Sequence, residues 1–251
     1  MAKTSKPARQ RHRSGSPAPS RAIIYGWHSG LAALQNRERI IHGVYVTKNA
    51  ANRLAEAGLA LSGVEIRNNR DLDRIAGDGA VHQGLAVICD PLPGRDLTAI
   101  AGAKLVVVLD QVTDPHNVGA ILRSAAAFGA GGLIMTARHG PEDTGVLAKA
   151  ASGGLEHVPV IRVANLARAM DQIADLGFLR VGLDSEHVET IESISDSASL
   201  ALVFGAEGKG LRRLTKEKCD RLVRLDMPGP ITSLNVSNAA AIALYAVTRR
   251  R

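Results

Sequence analysis

Three stretches of this chain crowd carboxylates, amides and hydroxyls beside glycine and proline. The first, Asp110-Gln111-Val112-Thr113-Asp114-Pro115-His116-Asn117-Val118-Gly119, runs into Ala120-Ile121-Leu122-Arg123-Ser124. Asp114-Pro115 has turn chemistry, Asn117 is placed to cap a helix, and Arg123 falls about two turns into it. The second is Phe204-Gly205-Ala206-Glu207-Gly208-Lys209-Gly210-Leu211. Its glycines would let backbone groups approach a ligand closely. Glu207 would repel a phosphate but not a cationic or hydroxyl-bearing ligand. The third begins with the stiff segment Leu225-Asp226-Met227-Pro228-Gly229-Pro230. It continues to Ser233-Leu234-Asn235-Val236-Ser237-Asn238, just before an alanine-rich apolar helix. A cap accounts for Ser237 or Asn238 and leaves Ser233 and Asn235 over. Taken singly, Arg123 reads equally well as a solvated arginine. Taken together, the groups suit a small-molecule site for group transfer. No Gly-Lys-Ser/Thr phosphate loop, no complete Gly-x-Gly-x-x-Gly, no Gly-x-Ser-x-Gly elbow and no metal-ligand spacing occurs.

Loops must be aimed by what precedes them. Leu105–Leu109 and Leu200–Phe204 are continuous apolar runs, as in strands buried on both faces. Leu222–Leu225 is short and extended. Further strands are expected at 132–135, 158–161 and 179–183. Helices are expected at 118–128, from 147, at 166–176 and at 238–248. This alternation predicts a parallel, right-handed βαβ sheet with helices on both faces, and such sheets bind ligands beyond the carboxyl ends of their strands. Residues 23–90 read as a smaller α/β unit. It has strands at 43–47, 64–66 and 84–89 and helices at 30–35, 49–58 and 71–76, the last capped by Asp71. The turn-rich 91–103 reads as a linker.

The 251 residues are 45% hydrophobic but only 3% aromatic, which suits an aliphatic α/β core. The formal net charge is +7. Lys3, Lys6, Arg9, Arg11, Arg13 and Arg21 lie in a Ser- and Pro-rich opening without Asp or Glu, so 1–22 reads as a disordered basic tail. It is either a solubilising segment or an arm that steers polyanions. Cys89 and Cys219 suggest neither a disulfide framework nor a zinc site. The opening has no apolar core of a secretory signal, which also argues against reading Asn235-Val236-Ser237 as a glycosylation sequon. No run approaches roughly 18 apolar residues, so the expectation is a cytoplasmic protein without a membrane partner.

The three stretches, in order, resemble the three motifs of the SpoU family of RNA ribose 2′-O-methyltransferases in the SPOUT superfamily. The matching positions are Asp114-Pro115-x-Asn117-x-Gly119-x-x-x-Arg123-Ser124, then Phe204-Gly205-x-Glu207-Gly208-x-Gly210, then Pro228 with Ser233-Leu234-Asn235-Val236-Ser237. The likeness covers about 104–249. Tyr25-Gly26-x-His28 and His82-Gln83-Gly84 resemble the substrate-binding domain of the bacterial enzymes that methylate a guanosine of large-subunit ribosomal RNA, a domain similar to a ribosomal-protein L30-like fold. The resemblance implies a SPOUT-type parallel sheet with a C-terminal trefoil knot over roughly 200–245 and a homodimer. The implied cofactor is S-adenosylmethionine, without a metal. The implied partner is ribosomal RNA, with transfer RNA as the alternative. Arg123 matches the catalytic arginine, with Asn117, Glu207, Ser233 and Asn235 orienting it and the ribose. Gly205, Leu225 and Leu234 would hold the cofactor through their backbones, with Met227 and Gly208 beside it. Two rivals are a catalytically silent RNA-binding protein on this fold and a dinucleotide-dependent oxidoreductase.

If the tail steers RNA, deleting residues 1–20 weakens RNA binding chiefly at low salt. Affinity measured across a salt series checks this, and an unchanged salt slope would make the tail a bystander.

Overall fold

The computed structural model describes residues 21–249 except 60–62, 78, 139, 143 and 195–198. The expected tail therefore lies almost wholly outside the described residues. The N-terminal unit is built from β1 (Ala22–Tyr25), α1 (Trp27–Gln35), β2 (Ile41–Val46), α2 (Lys48–Glu56), β3 (Val64–Ile66), α3 (Asn69–Ala76) and β4 (Leu85–Cys89). Its mixed sheet has the order β1-β4-β2-β3, with β3 parallel to β2 and the other pairs antiparallel. β1 begins at Ala22, the last residue of the expected tail, and is too short to show a sequence period.

The second unit runs β5 (Leu105–Asp110), α4 (Pro115–Ala127), β6 (Leu133–Thr136), α5 (Gly145–Ala151), α6 (Gly154–His157), β7 (Val160–Val163), α7 (Leu166–Asp175), β8 (Phe178–Leu183), β9 (Ser199–Gly205), α8 (Arg213–Glu217), β10 (Arg221–Val223) and α9 (Val236–Thr248). All six strands are parallel, in the order β10-β8-β9-β5-β6-β7. The central pair explains why the runs are continuous. Side chains alternate between faces with a period of two. Leu105, Val107 and Leu109 of β5 join Leu200, Leu202 and Phe204 of β9 in one apolar cluster. Val106 and Val108 join Ala201 and Val203 in the cluster on the other face.

Helices α1 to α5 and α9 begin earlier than expected, and in three of them the capping residue is an earlier one than expected. Asn68, not Asp71, caps α3 by accepting from the Asp71 N–H at 3.0 Å. Asp114, not Asn117, caps α4 by accepting from the His116 N–H at 2.9 Å, with Pro115 in the first turn. Asn235, rather than Ser237 or Asn238, caps α9 by accepting from the Ser237 N–H at 2.9 Å.

The two units share one core. Ile24, Leu54, Leu85 and Val87 lie in the same cluster as Leu109, Leu122 and Leu147. The Ser29 hydroxyl donates to the Ala148 carbonyl at 2.9 Å. Arg39 and Glu156 form an ion pair at 2.8 Å with side chains 0% and 3% exposed. Asn36 Nδ2 donates to the same carboxylate at 2.7 Å, and Arg39 also donates to the Asp90 carbonyl at 2.9 Å. The stretch from 91 to 103 packs onto the larger sheet. Arg95 bridges to Ile161, and Ile100, in the 3₁₀ turn Leu97–Ile100, is fully buried.

Removing one member of a buried pair leaves a desolvated charge. Glu156→Ala is expected to cost about 3–5 kcal/mol in denaturant unfolding. Arg39→Met with Glu156→Leu is expected to recover most of that loss, because neither charge then remains.

Candidate active site

The loops after β8, β9 and β10 line a cavity of about 510 Å³ at the carboxyl edge of the sheet. Its lining includes Gly205, Gly208, Leu225, Met227 and Leu234, together with Glu207, Ser233 and Asn235. Phe204, Leu183 and Val236 make part of the wall apolar. A larger cleft of about 1170 Å³ lies between the two units, and none of the three polar loops lines it.

The glycine loop is closed on itself. Gly210 N donates to the Ala206 carbonyl at 2.8 Å. Gly208 and Gly210 have φ of 73° and 63°, a left-handed backbone that other side chains rarely adopt. A Cβ on Gly205 would lie 2.1 Å from the Gly210 carbonyl carbon. Glycine at 205 thus serves the fold of the loop before it serves any ligand, a correction to the simple close-approach argument. A Cβ on Gly208 would meet nothing within 4 Å.

Asp110, the last residue of β5, is 0% exposed. Its carboxylate accepts from Arg212 N at 2.9 Å and Arg212 Nε at 2.7 Å, which anchors the chain just beyond the glycine loop. From that anchor Glu207 reaches the other two loops. Its Oε1 accepts from Asn117 Nδ2 at 2.9 Å and also from Asn235 Nδ2. Asn235 Nδ2 further donates to Asn117 Oδ1 at 3.0 Å, which closes a triangle. Because Asp114 takes the capping position, the Asn117 amide is free for this role. Asn235 does both jobs: its oxygen caps α9 and its nitrogen joins the triangle. Glu207 Oε2 accepts no hydrogen bond among the described residues.

Arg123 stands apart. It is exposed and makes no hydrogen bond or ion pair among the described residues, so the expected contact with Asn117, Glu207, Ser233 or Asn235 is not formed within the chain. Helix geometry gives the reason: six residues past Asn117 is about 600° of rotation, which turns Arg123 roughly 120° away from it. Ser233 lies on the cavity wall without joining the triangle.

Several lining residues were not singled out from sequence. Asp184 and Ser185 come just after β8, and Thr232 and Arg224 flank the last loop. The first two carry a signal that the sequence does hold, since the loop after any strand of a parallel sheet can face a ligand. Burial pushes the Asp184 carboxyl up, but hydrogen bonds from Lys216 at 2.6 Å and from Glu186 N at 3.2 Å outweigh it and hold the group below the usual carboxylate range. Burial pushes the Cys219 thiol up to about 12, which makes it a poor nucleophile near neutral pH.

Comparisons with known proteins add identity to this geometry. Residues 104–245 match the SpoU rRNA Methylase family, and residues 23–94 match a family described as RNA 2′-O ribose methyltransferase substrate binding. The chain is 38% identical over 242 residues to 23S rRNA (guanosine-2′-O-)-methyltransferase RlmB of Escherichia coli, covering 91% of this chain and 98% of that protein. The RlmB of Photorhabdus laumondii is likewise 38% identical over 245 residues. Among solved structures, the SpoU methyltransferase AviRb of Streptomyces viridochromogenes with AdoMet superposes with a TM-score of 0.75 at 25% identity, over 91% of this chain and 89% of that one. An AdoMet-bound rRNA methyltransferase of Sinorhizobium meliloti shares the fold, with a TM-score of 0.75 at 23% identity, over 92% of this chain and 87% of that one.

Asn235→Ala removes both a cap and a corner of the triangle, so it is expected to cost at least about 1 kcal/mol. Asn235→Asp keeps the cap but sets a second carboxylate against Glu207. It is expected to spare much of the stability while speeding amide exchange across 206–210. Denaturant unfolding and hydrogen exchange read the two effects separately.

Proposed function

The chain belongs to the SpoU rRNA methylase family, and on that premise we propose that the cavity beside Asn117, Glu207 and Asn235 is where a methyl group passes to RNA. The protein is an S-adenosylmethionine-dependent RNA ribose 2′-O-methyltransferase whose substrate is a guanosine of 23S rRNA. The observation that carries the placement is the meeting of three distant loops in one hydrogen-bonded triangle on the rim of the cavity. This convergence disfavours a silent RNA-binding module, which would have no use for a pinned carboxylate beside a cavity.

The cavity fits the cofactor. Its volume lies within the range of small-molecule sites, its wall is partly apolar, and a Cβ on Gly208 would project into open space. In this reading Gly205, Leu225 and Leu234 hold the cofactor through backbone groups, with Met227 and Gly208 beside them. When bound, S-adenosylmethionine supplies a methyl group on a positively charged sulfur. Transfer to a ribose oxygen is an in-line displacement, so alignment of the acceptor supplies much of the acceleration.

The side chains divide the remaining work. A ribose 2′-hydroxyl must give up its proton as it attacks, to an RNA phosphate oxygen or a nearby side chain, while the electron pair of the broken carbon–sulfur bond stays on sulfur. The guanidinium of Arg123 is charged at almost any pH, so its role is to clamp a phosphate and stabilise developing negative charge. Its donors are used by none of the described residues. Glu207, with Oε1 held by two amides, offers Oε2 to a ribose hydroxyl. Asn117 and Asn235 hold that carboxylate, and Ser233 lines the approach.

The same reading includes a trefoil knot over roughly 200–245, a cytoplasmic setting and a homodimer. It assigns RNA binding to 23–90 and methyl transfer to 104–251, with 91–103 joining them. For the dimer, α9 presents Ile242 and Tyr245, each 47% exposed, as an apolar face. No described helix is long and apolar enough to cross a membrane.

Arg123→Ala is expected to keep the fold and the cofactor affinity while losing about 3 kcal/mol or more of transition-state stabilisation. Calorimetric titration with S-adenosylmethionine, together with methylation of 23S rRNA, checks both halves. Near-normal methylation would remove Arg123 from the reaction.

A further inference from the structure

Two motifs of the N-terminal unit, Tyr25-Gly26-Trp27-His28 and His82-Gln83-Gly84, meet in space. Gln83 has a φ of 52°, uncommon for a residue with a side chain. Its Oε1 accepts from Trp27 N at 3.0 Å and from Lys149 Nζ of α5 at 2.8 Å. Lys149 reaches across because residue 26 is glycine: a Cβ there would sit 2.5 Å from Nζ. With its oxygen held on both sides, Gln83 is exposed and turns an amide nitrogen that donates to nothing among the described residues. Beside it lies Trp27, the only tryptophan in the chain. The guanidinium of Arg53 covers its ring at 3.7 Å from the centroid. Arg53 is exposed and has no carboxylate partner among the described residues.

We propose that Trp27, Arg53 and Gln83 form a platform that receives one unpaired RNA base, stacked on the Arg53 plane and read along an edge by the Gln83 amide. Unpaired bases stack on guanidinium and aromatic planes, and bases inside a duplex do not offer their faces. A strained backbone held by convergent hydrogen bonds points to function rather than to packing alone. The platform is joined to the reaction centre. Ala150, next to Lys149, lies so close to Gly119 of α4 that a Cβ on Gly119 would approach it to 2.5 Å. Gly119 precedes Arg123 by about one turn. A base held at Gln83 would therefore set the position of the strand relative to the helix that carries Arg123. This inference rests on the reading of the chain as an RNA methyltransferase.

The single tryptophan makes the test direct. The full chain is titrated with a short single-stranded oligoribonucleotide and with the same sequence as a duplex, while Trp27 emission and the anisotropy of labelled RNA are monitored. The single strand is expected to quench Trp27 with the same midpoint as the anisotropy, and the duplex to leave it unquenched. Arg53→Lys keeps the charge and removes the plane, and is expected to weaken single-strand binding about tenfold. Gln83→Glu keeps the oxygen that receives Trp27 and Lys149 but removes the amide donors. It is expected to weaken binding by a similar factor without lowering the melting temperature. Unchanged emission at saturating single strand would overturn the proposal, as would wild-type RNA affinity in both variants, which would leave the two motifs a docking contact between the units. Calorimetry with S-adenosylmethionine is run alongside: absent cofactor binding would count against the methyltransferase reading, whereas normal cofactor binding without quenching counts against the platform alone.

Discussion

The Asp110 carboxylate is the charge on which the active edge of the molecule depends. It terminates the central strand, is wholly buried, and is balanced by hydrogen bonds from one residue, Arg212. A buried carboxylate is tolerable only with such partners, so the segment that supplies them is bound to the end of β5. That segment is the exit of the glycine loop. With the exit held, the loop must turn within a few residues of leaving β9, which accounts for the Gly205–Gly210 contact and the left-handed glycines. Glu207, at the tip of this turn, then meets amides from two other loops. The site is thus a sequence of constraints passed outward from one strand end, and the most exposed groups are the last to be fixed.

The reacting groups and the groups that hold them obey different rules. Asp110 and the apolar side chains of β5 and β9 are buried, and the Asp110 carboxylate is hydrogen-bonded. Arg123 and Glu207 are exposed, and each keeps hydrogen-bonding capacity that the described residues do not use. Unused capacity on an otherwise well-ordered scaffold is what a site for an external ligand requires.

Much of this was legible in the sequence. Runs such as Leu105–Leu109 read as strands covered on both faces because no polar residue interrupts them, and the loops behind them carry the functional groups. Helix starts were harder to read. In α3 and α4 the first turn is polar, and in α9 Ser237 and Asn238 follow Val236, so apolar periodicity begins late and the cap expected from sequence falls inside the helix. Asn117 shows the consequence: once Asp114 is recognised as the cap, Asn117 is released for the site. The burial of Asp110 was not legible, since an aspartate at the end of an apolar run looks like any turn residue until Arg212, 102 positions away, is brought to it. Nor was the separation of Arg123 from its expected companions evident, because motif spacing records which residues occur together and not which way a helix turns them.

The apolar cluster that runs from Ile24 to Val247 spans both units and limits how the protein can be divided. Sequence motifs assign binding and chemistry to separate segments, which invites treating them as interchangeable modules. A segment whose inner surface is a slice of its neighbour's interior does not melt by itself. Heating should therefore produce one calorimetric transition rather than two. A chimera that takes its first ninety residues from a relative would have to bring complementary partners for Leu122, Leu147 and Glu156 as well, so the two halves are expected to vary in concert even where neither touches RNA.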